Sequence, residues 1–111
     1  MGEFSVKDIV FVNFPFSDLS DSKKRPALVL ASVGSNDMIL CQITSQAYTD
    51  KTAIMITESD LSEGRLIKKS YIRPSKLFTA NAQLVHRVVA SLNDQVHQKV
   101  INQIIRLLRK N

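Results

Sequence analysis

Apolar residues fall in short alternating or continuous runs along most of the chain and adopt helical spacing only near its end. Val6 to Phe14 (VKDIVFVNF) is rich in β-branched and aromatic residues and predicts a first strand, which Pro15 ends because proline lacks the donor a ladder needs. The polar, aperiodic stretch Ser17–Lys24 predicts a long loop. Arg25–Ala31 and Met38–Thr44 predict two more strands in a meander, joined by the turn residues Gly34-Ser35-Asn36-Asp37. Ala53–Thr57 reads as a fourth strand. Glu58–Gly64 reads as about one helical turn, with acidic residues early and Gly64 as its stop. Ser70–Phe78 predicts a strand interrupted or bent at Pro74, Ala80–Val85 another short helix, and His86–Leu92 a returning strand.

The last element has the strongest local signals. Asn93 suits an N-cap, Asp94 follows in the first turn, and Val96, Val100, Ile101, Ile104, Ile105, Leu107 and Leu108 recur at helical spacing. Arg106, Arg109 and Lys110 lie at the end that favours cations, so the helix is placed at Asp94–Arg109, with His97 on its solvent side. The sum is a mainly β fold of about six strands, a partly open barrel or sheet carrying a C-terminal helix (α+β).

At 111 residues the chain has room for one domain, 1–111, with 44% apolar residues to bury. A single cysteine, Cys41, rules out an intrachain disulfide, and its apolar setting suits a buried thiol. No run approaches the ~18 apolar residues that span a bilayer, so the expectation is a cytoplasmic protein with no membrane association. Charge is segregated: residues 1–64 hold five Lys/Arg against nine Asp/Glu, while residues 65–111 hold ten against Asp94 alone. A C-terminal half at +9 suggests a polyanion or an acidic protein as partner.

The histidines, His86 and His97, are eleven residues apart, and no His/Cys/Asp/Glu set has ligand spacing, so no metal is expected. With Gly2, Gly34 and Gly64 the only glycines, there is no phosphate loop, and no cofactor is expected. Two local features suggest chemistry. In Lys23-Lys24-Arg25-Pro26 a basic cluster meets the start of a strand, and Pro26 biases Arg25 toward extended backbone, which suits either a phosphate-binding arginine or an exposed one that closes a loop. Ile43-Thr44-Ser45-Gln46 places hydroxyl and amide groups at a strand end, either as positioned ligands or as a simple turn.

Several of these segments, in order, resemble the MazF/PemK toxins of bacterial toxin–antitoxin pairs. Asp8-Ile9-Val10-Phe11-Val12-Asn13-Phe14-Pro15-Phe16 is similar to the family's opening strand and Lys24-Arg25-Pro26-Ala27-Leu28-Val29-Leu30 to its second. Cys41-Gln42-Ile43-Thr44-Ser45-Gln46 resembles the strand end bearing the active-site threonine, and Ser70-Tyr71-Ile72-Arg73-Pro74-Ser75-Lys76-Leu77-Phe78-Thr79 a later strand. The resemblance implies an SH3-like partly open barrel of the MazF/PemK/CcdB type and a homodimer restrained by a cognate antitoxin. It also implies cleavage of single-stranded RNA, such as mRNA, at specific short sequences without a metal, leaving 2′,3′-cyclic phosphate and 5′-hydroxyl ends.

Arg25 and Thr44 would be the catalytic pair, Arg25 stabilising charge on the phosphate rather than acting as a base. RNA contacts would come from Phe16, Ser17, Lys23 and Lys24, from Ser45 and Gln46, and from the basic stretch with Lys69, Arg73 and Lys76. Tyr71 is read either as a stacking platform or as a packed sheet residue. The chain departs from the family in two places. Ser75 stands where an aspartate would pair with Arg73, and Lys7 where a glycine commonly precedes the first strand. The alternatives are a CcdB-like toxin that binds DNA gyrase, and a degenerate module that binds only RNA or antitoxin.

Overall fold

Antiparallel pairing joins the apolar runs into one curled sheet, seen in a computed structural model that describes residues 4–14, 23–47, 49–66 and 68–110. Its strands are β1 (Asp8–Phe14), β2 (Lys23–Ser32), β3 (Asp37–Thr44), β4 (Ile54–Ile56), β5 (Leu61–Gly64), β6 (Ser70–Asn81) and β7 (Val85–Leu92). Helix α1 (Asp94–Arg109) follows. The sheet order is β4-β6-β3-β2-β1-β7-β5, so β1, β2 and β3 form the meander the turn residues predict.

Both faces of the central strands are buried. Ile9, Leu28, Cys41, Ile43 and Ile72 pack with Leu92 and with Val100 and Ile104 of α1. The alternate residues Val10, Val12, Ala27, Val29 and Leu40 form a second cluster with Ala80, backed by Phe4, Phe78 and Leu84. Covering both faces requires curvature. The register of β1 with β7, β2 with β3 and β3 with β6 shifts at several points, and such bulges bend strands. The result is a half-barrel closed on one side by α1.

Several boundaries differ from expectation. Residues Glu58–Asp60 make a single 3₁₀ turn, and Leu61–Gly64 then pairs with β7 as a strand instead of continuing a helix. The expected helix Ala80–Val85 is reduced to a 3₁₀ turn at Ala82–Leu84, because β6 runs on through Asn81, whose side chain caps the turn. At Pro74 β6 runs on as one strand, but its ladder with β3 is interrupted there, in line with the expected interruption or bend. Pairing passes from Cys41↔Leu77 to Ile43↔Ile72, so residues 73–76 have no partner on β3 and the missing donor costs no ladder bond. His97 is half-buried, its buried Nδ1 without a partner among the described residues, and not on the solvent side of the helix. The loop expected at Ser17–Lys24 lies outside the described residues up to Ser22, and Lys23 and Lys24 already belong to β2.

Candidate active site

Both arginines of interest are followed by a proline, which steers the preceding residue to extended backbone. Arg25 sits in β2 opposite Val12 of β1. The β2–β3 pairing runs through Ala27↔Gln42, and continuing it two residues sets Arg25 opposite Thr44, the last residue of β3. The Thr44 hydroxyl closes the turn beyond the strand, accepting from the Gln46 N–H and donating to the Gln46 carbonyl, both at 3.2 Å. These are long bonds that a better acceptor can displace.

Arg25 and Thr44 line one open depression of about 650 Å³. Lys24, Ser45, Arg65, Lys68 and Arg87 line it too, so five cations converge there without a carboxylate among the described lining residues. Arg87 is held over the Phe11 ring, 5.3 Å from its centroid, as the register pair Phe11↔Arg87 of β1 and β7 requires. Low-dielectric walls from Phe11, Ile43, Leu66, Val88 and Val89 strengthen the field these cations set up.

A second depression of about 500 Å³ is lined by Gln46, Ala47, Thr49, Asp50, Lys51, Arg73 and Ser75. Ser45 lines the first and Gln46 the second, so consecutive residues connect them. Arg73, in the stretch of β6 unpaired with β3, donates from Nε to Asp50 Oδ2 at 2.7 Å and from Nη1 to Gln42 Oε1 at 3.3 Å. Asp50 Oδ1 accepts from the N–H and hydroxyl of Thr52 at 2.9 and 2.7 Å. The Thr52 hydroxyl foremost, then Arg73, holds the Asp50 carboxyl below its ordinary value. The carboxylate missing at Ser75 is thus supplied to Arg73 from a different segment.

The structure divides the residues expected to bind RNA. Lys24 and Ser45 join Arg25 and Thr44, while Gln46 and Arg73 share the second depression. Lys69 and Lys76 are exposed and line neither. Phe16 and Ser17 lie outside the described residues, and of Lys23 only the backbone is described. Tyr71 is half-buried in the sheet, paired with Thr44 and Met55. Arg65 and Arg87 were not anticipated. The alternation around Phe11 and Arg87 carries no signal that β1 and β7 are neighbours.

Cys41 is fully buried, which pushes its thiol up to about 12 and leaves it unreactive at neutral pH. Among the described residues no group of three or more His, Cys, Asp or Glu could hold a metal ion.

Over residues 5–108 the chain matches the PemK-like, MazF-like toxins of type II toxin–antitoxin systems. It belongs to that family. The same half-barrel occurs in solved MazF structures. Mycobacterium tuberculosis toxin MazF-mt6 superposes with a TM-score of 0.72 at 14% identity, covering 94% of this chain and 98% of that one. A MazE–MazF complex from Deinococcus radiodurans gives 0.71 at 17% identity, covering 96% and 95%. An endoribonuclease in complex with its cognate antitoxin, from a mycobacterial species, gives 0.70 at 13% identity, covering 93% and 92%. At these identities the likeness shows the MazF fold. A comparison with curated protein sequences gives no match. No helix among the described residues of this MazF-family chain is long and apolar enough to cross a membrane.

Proposed function

We propose that this protein is the ribonuclease of a toxin–antitoxin pair, cutting single-stranded RNA without a metal and acting as a homodimer. The observation that carries the reading is the placement of Arg25 and Thr44 in one depression with five cations and no described carboxylate. A binding surface needs the charge. It has no chemical need for a threonine hydroxyl opposite an arginine at the strand ends.

In the reaction, the ribose 2′-oxygen attacks the adjacent phosphorus and the bond to the 5′-oxygen breaks. The proton lost by the 2′-hydroxyl is matched by one gained at the 5′-oxygen, so the products are a 2′,3′-cyclic phosphate and a 5′-hydroxyl. Arg25 stabilises the charge that builds on the non-bridging oxygens, and its fork geometry suits two of them. Thr44 turns its hydroxyl from the Gln46 carbonyl to a phosphate oxygen. Lys24, Arg65, Lys68 and Arg87 hold the flanking strand. The antitoxin would cover the same cations with an acidic segment, in keeping with a solved endoribonuclease of this fold that is bound to its cognate antitoxin.

The test is incubation of a long single-stranded RNA with the protein in EDTA, beside Arg25→Ala and Thr44→Ala, with the new ends mapped and the mass in solution checked by light scattering. A dimer giving discrete cuts with 5′-hydroxyl ends is expected. Each substitution should slow cutting about 10²–10³-fold, the loss typical of removing a donor to a developing oxyanion. RNA left intact by a folded dimer would overturn the enzyme reading and direct attention to gyrase binding.

A further inference from the structure

We propose that Asp50 is a positioning residue of the RNA surface, holding the Arg73 guanidinium in the second depression so that its free donors meet an RNA phosphate there. The inference rests on the ribonucleolytic reading above, in which Arg73 is an expected RNA contact, and extends it to the carboxylate that holds this arginine.

The geometry is that of a prepared cation. Arginine has five N–H donors, and Arg73 commits one to Asp50 and one to Gln42. The remaining donors have no partner among the described residues, and the side chain is 26% exposed. The side chain of Asp50 is only 9% exposed. Both its oxygens are taken, Oδ2 by Arg73 and Oδ1 by Thr52, so its charge is engaged within the protein although it lines the depression. A guanidinium held through Nε and Nη1, with its other donors unpartnered among the described residues, loses little freedom on binding. Lys51 and Gln46 add a second cation and an amide to the same wall. The link through Ser45 and Gln46 lets one RNA strand pass from the first depression into the second.

Simple electrostatics and positioning predict opposite signs. Removing the Asp50 charge raises the net positive charge beside the RNA, so a purely electrostatic view expects Asp50→Asn to bind more tightly. If Asp50 holds Arg73 in place, binding weakens instead.

The probe is a short, randomised, fully 2′-O-methylated RNA with a fluorescent label, which cannot be cut, titrated by anisotropy. Asp50→Asn and Arg73→Gln should each weaken binding about tenfold. The double variant should be no weaker than Arg73→Gln alone, because the two residues act as one unit. Thr52→Val, which keeps the Asp50 charge and removes one of its bonds, should weaken binding about threefold. It decides the matter if Asp50→Asn fails to fold. Unchanged or tighter binding by folded Asp50→Asn, or additive losses in the double variant, would overturn the proposal. If the wild type cuts RNA while these variants bind as it does, only the positioning role falls. If the wild type neither binds the probe nor cuts RNA, the ribonuclease reading falls and the positioning role with it.

Discussion

Gly64, at the end of β5, has φ +82, and a Cβ built there would lie 2.3 Å from the Val89 carbonyl oxygen and 2.6 Å from Ala90 Cα. These are backbone atoms of the neighbouring strand, so nothing flexible can give way. Gly64→Ala should cost about 2–4 kcal/mol from strain and overpacking together, read as a lower urea midpoint. It should also weaken RNA binding, because Arg65 follows it into the first depression. The sequence marks Gly64 as a residue needing a left-handed backbone, but a helix stop and a strand end against a neighbour make the same demand. Only the approach of Val89, distant in the chain, tells them apart. The strand positions of Arg25 and Thr44 were legible because each is set by its immediate neighbours, Pro26 and a strand end. Asp50 was not, since nothing in Asp50-Lys51-Thr52 reveals that Arg73 lies across from it.

Among the elements, α1 was readable to its boundaries, since cap, first-turn acid and apolar spacing are all local. The Asn93 side chain accepts from the Val96 N–H at 2.9 Å. Asn93→Ala should therefore cost about 1 kcal/mol and lower the melting temperature by about 5 °C. What faces the helix was harder to read. His97 is held below its ordinary 6.5 first by burial and then by the Lys7 ammonium, with Asp94 pulling weakly the other way. Because the folded value lies below the unfolded one, the unfolded chain takes up this proton first as the pH falls. The contribution of His97 is therefore complete above about pH 6.5 and is lost as the pH drops toward the folded value. Urea midpoints at about pH 7.5 and about pH 5.5 should converge in His97→Gln relative to wild type. The strands β5 and β6 escaped a correct reading for a related reason. The pairing of β5 with β7 joins distant segments, and β6 runs past Phe78 to Asn81 because Ile39, Met38 and Asp37 pair with its end.

For the molecule as a whole, the charge segregation visible along the chain becomes a place. Arg65, Lys68 and Arg87 from the basic half meet Lys24 and Arg25 from the acidic half in one depression. The excess of cations was legible; which of them converge was not, since Lys69 and Lys76 belong to the same run and stand apart. Each cation that contacts a phosphate releases counterions when it binds. RNA affinity should therefore fall steeply with salt, and Arg87→Ala should reduce the slope of log K against log salt by about 0.7. Titrations of the uncuttable RNA across a salt series would check this, with Lys76→Ala expected to leave the slope nearly unchanged.

The hairpin of β2 and β3 turns at Gly34, Ser35 and Asn36, all with positive φ, at the end away from the depression. Side chains on a strand change face with every residue. The turn therefore acts as a vernier for the distant pair Arg25 and Thr44. One residue added to the β3 side would bring a neighbour of Thr44 opposite Arg25 and send Thr44 to the other face, while the apolar contacts of both clusters would resist the slip. Length changes in this turn are then expected to be tolerated in pairs or absorbed by the bulge near Leu30. A single added codon, at the far end of the hairpin from the depression, would in this way part Arg25 from Thr44.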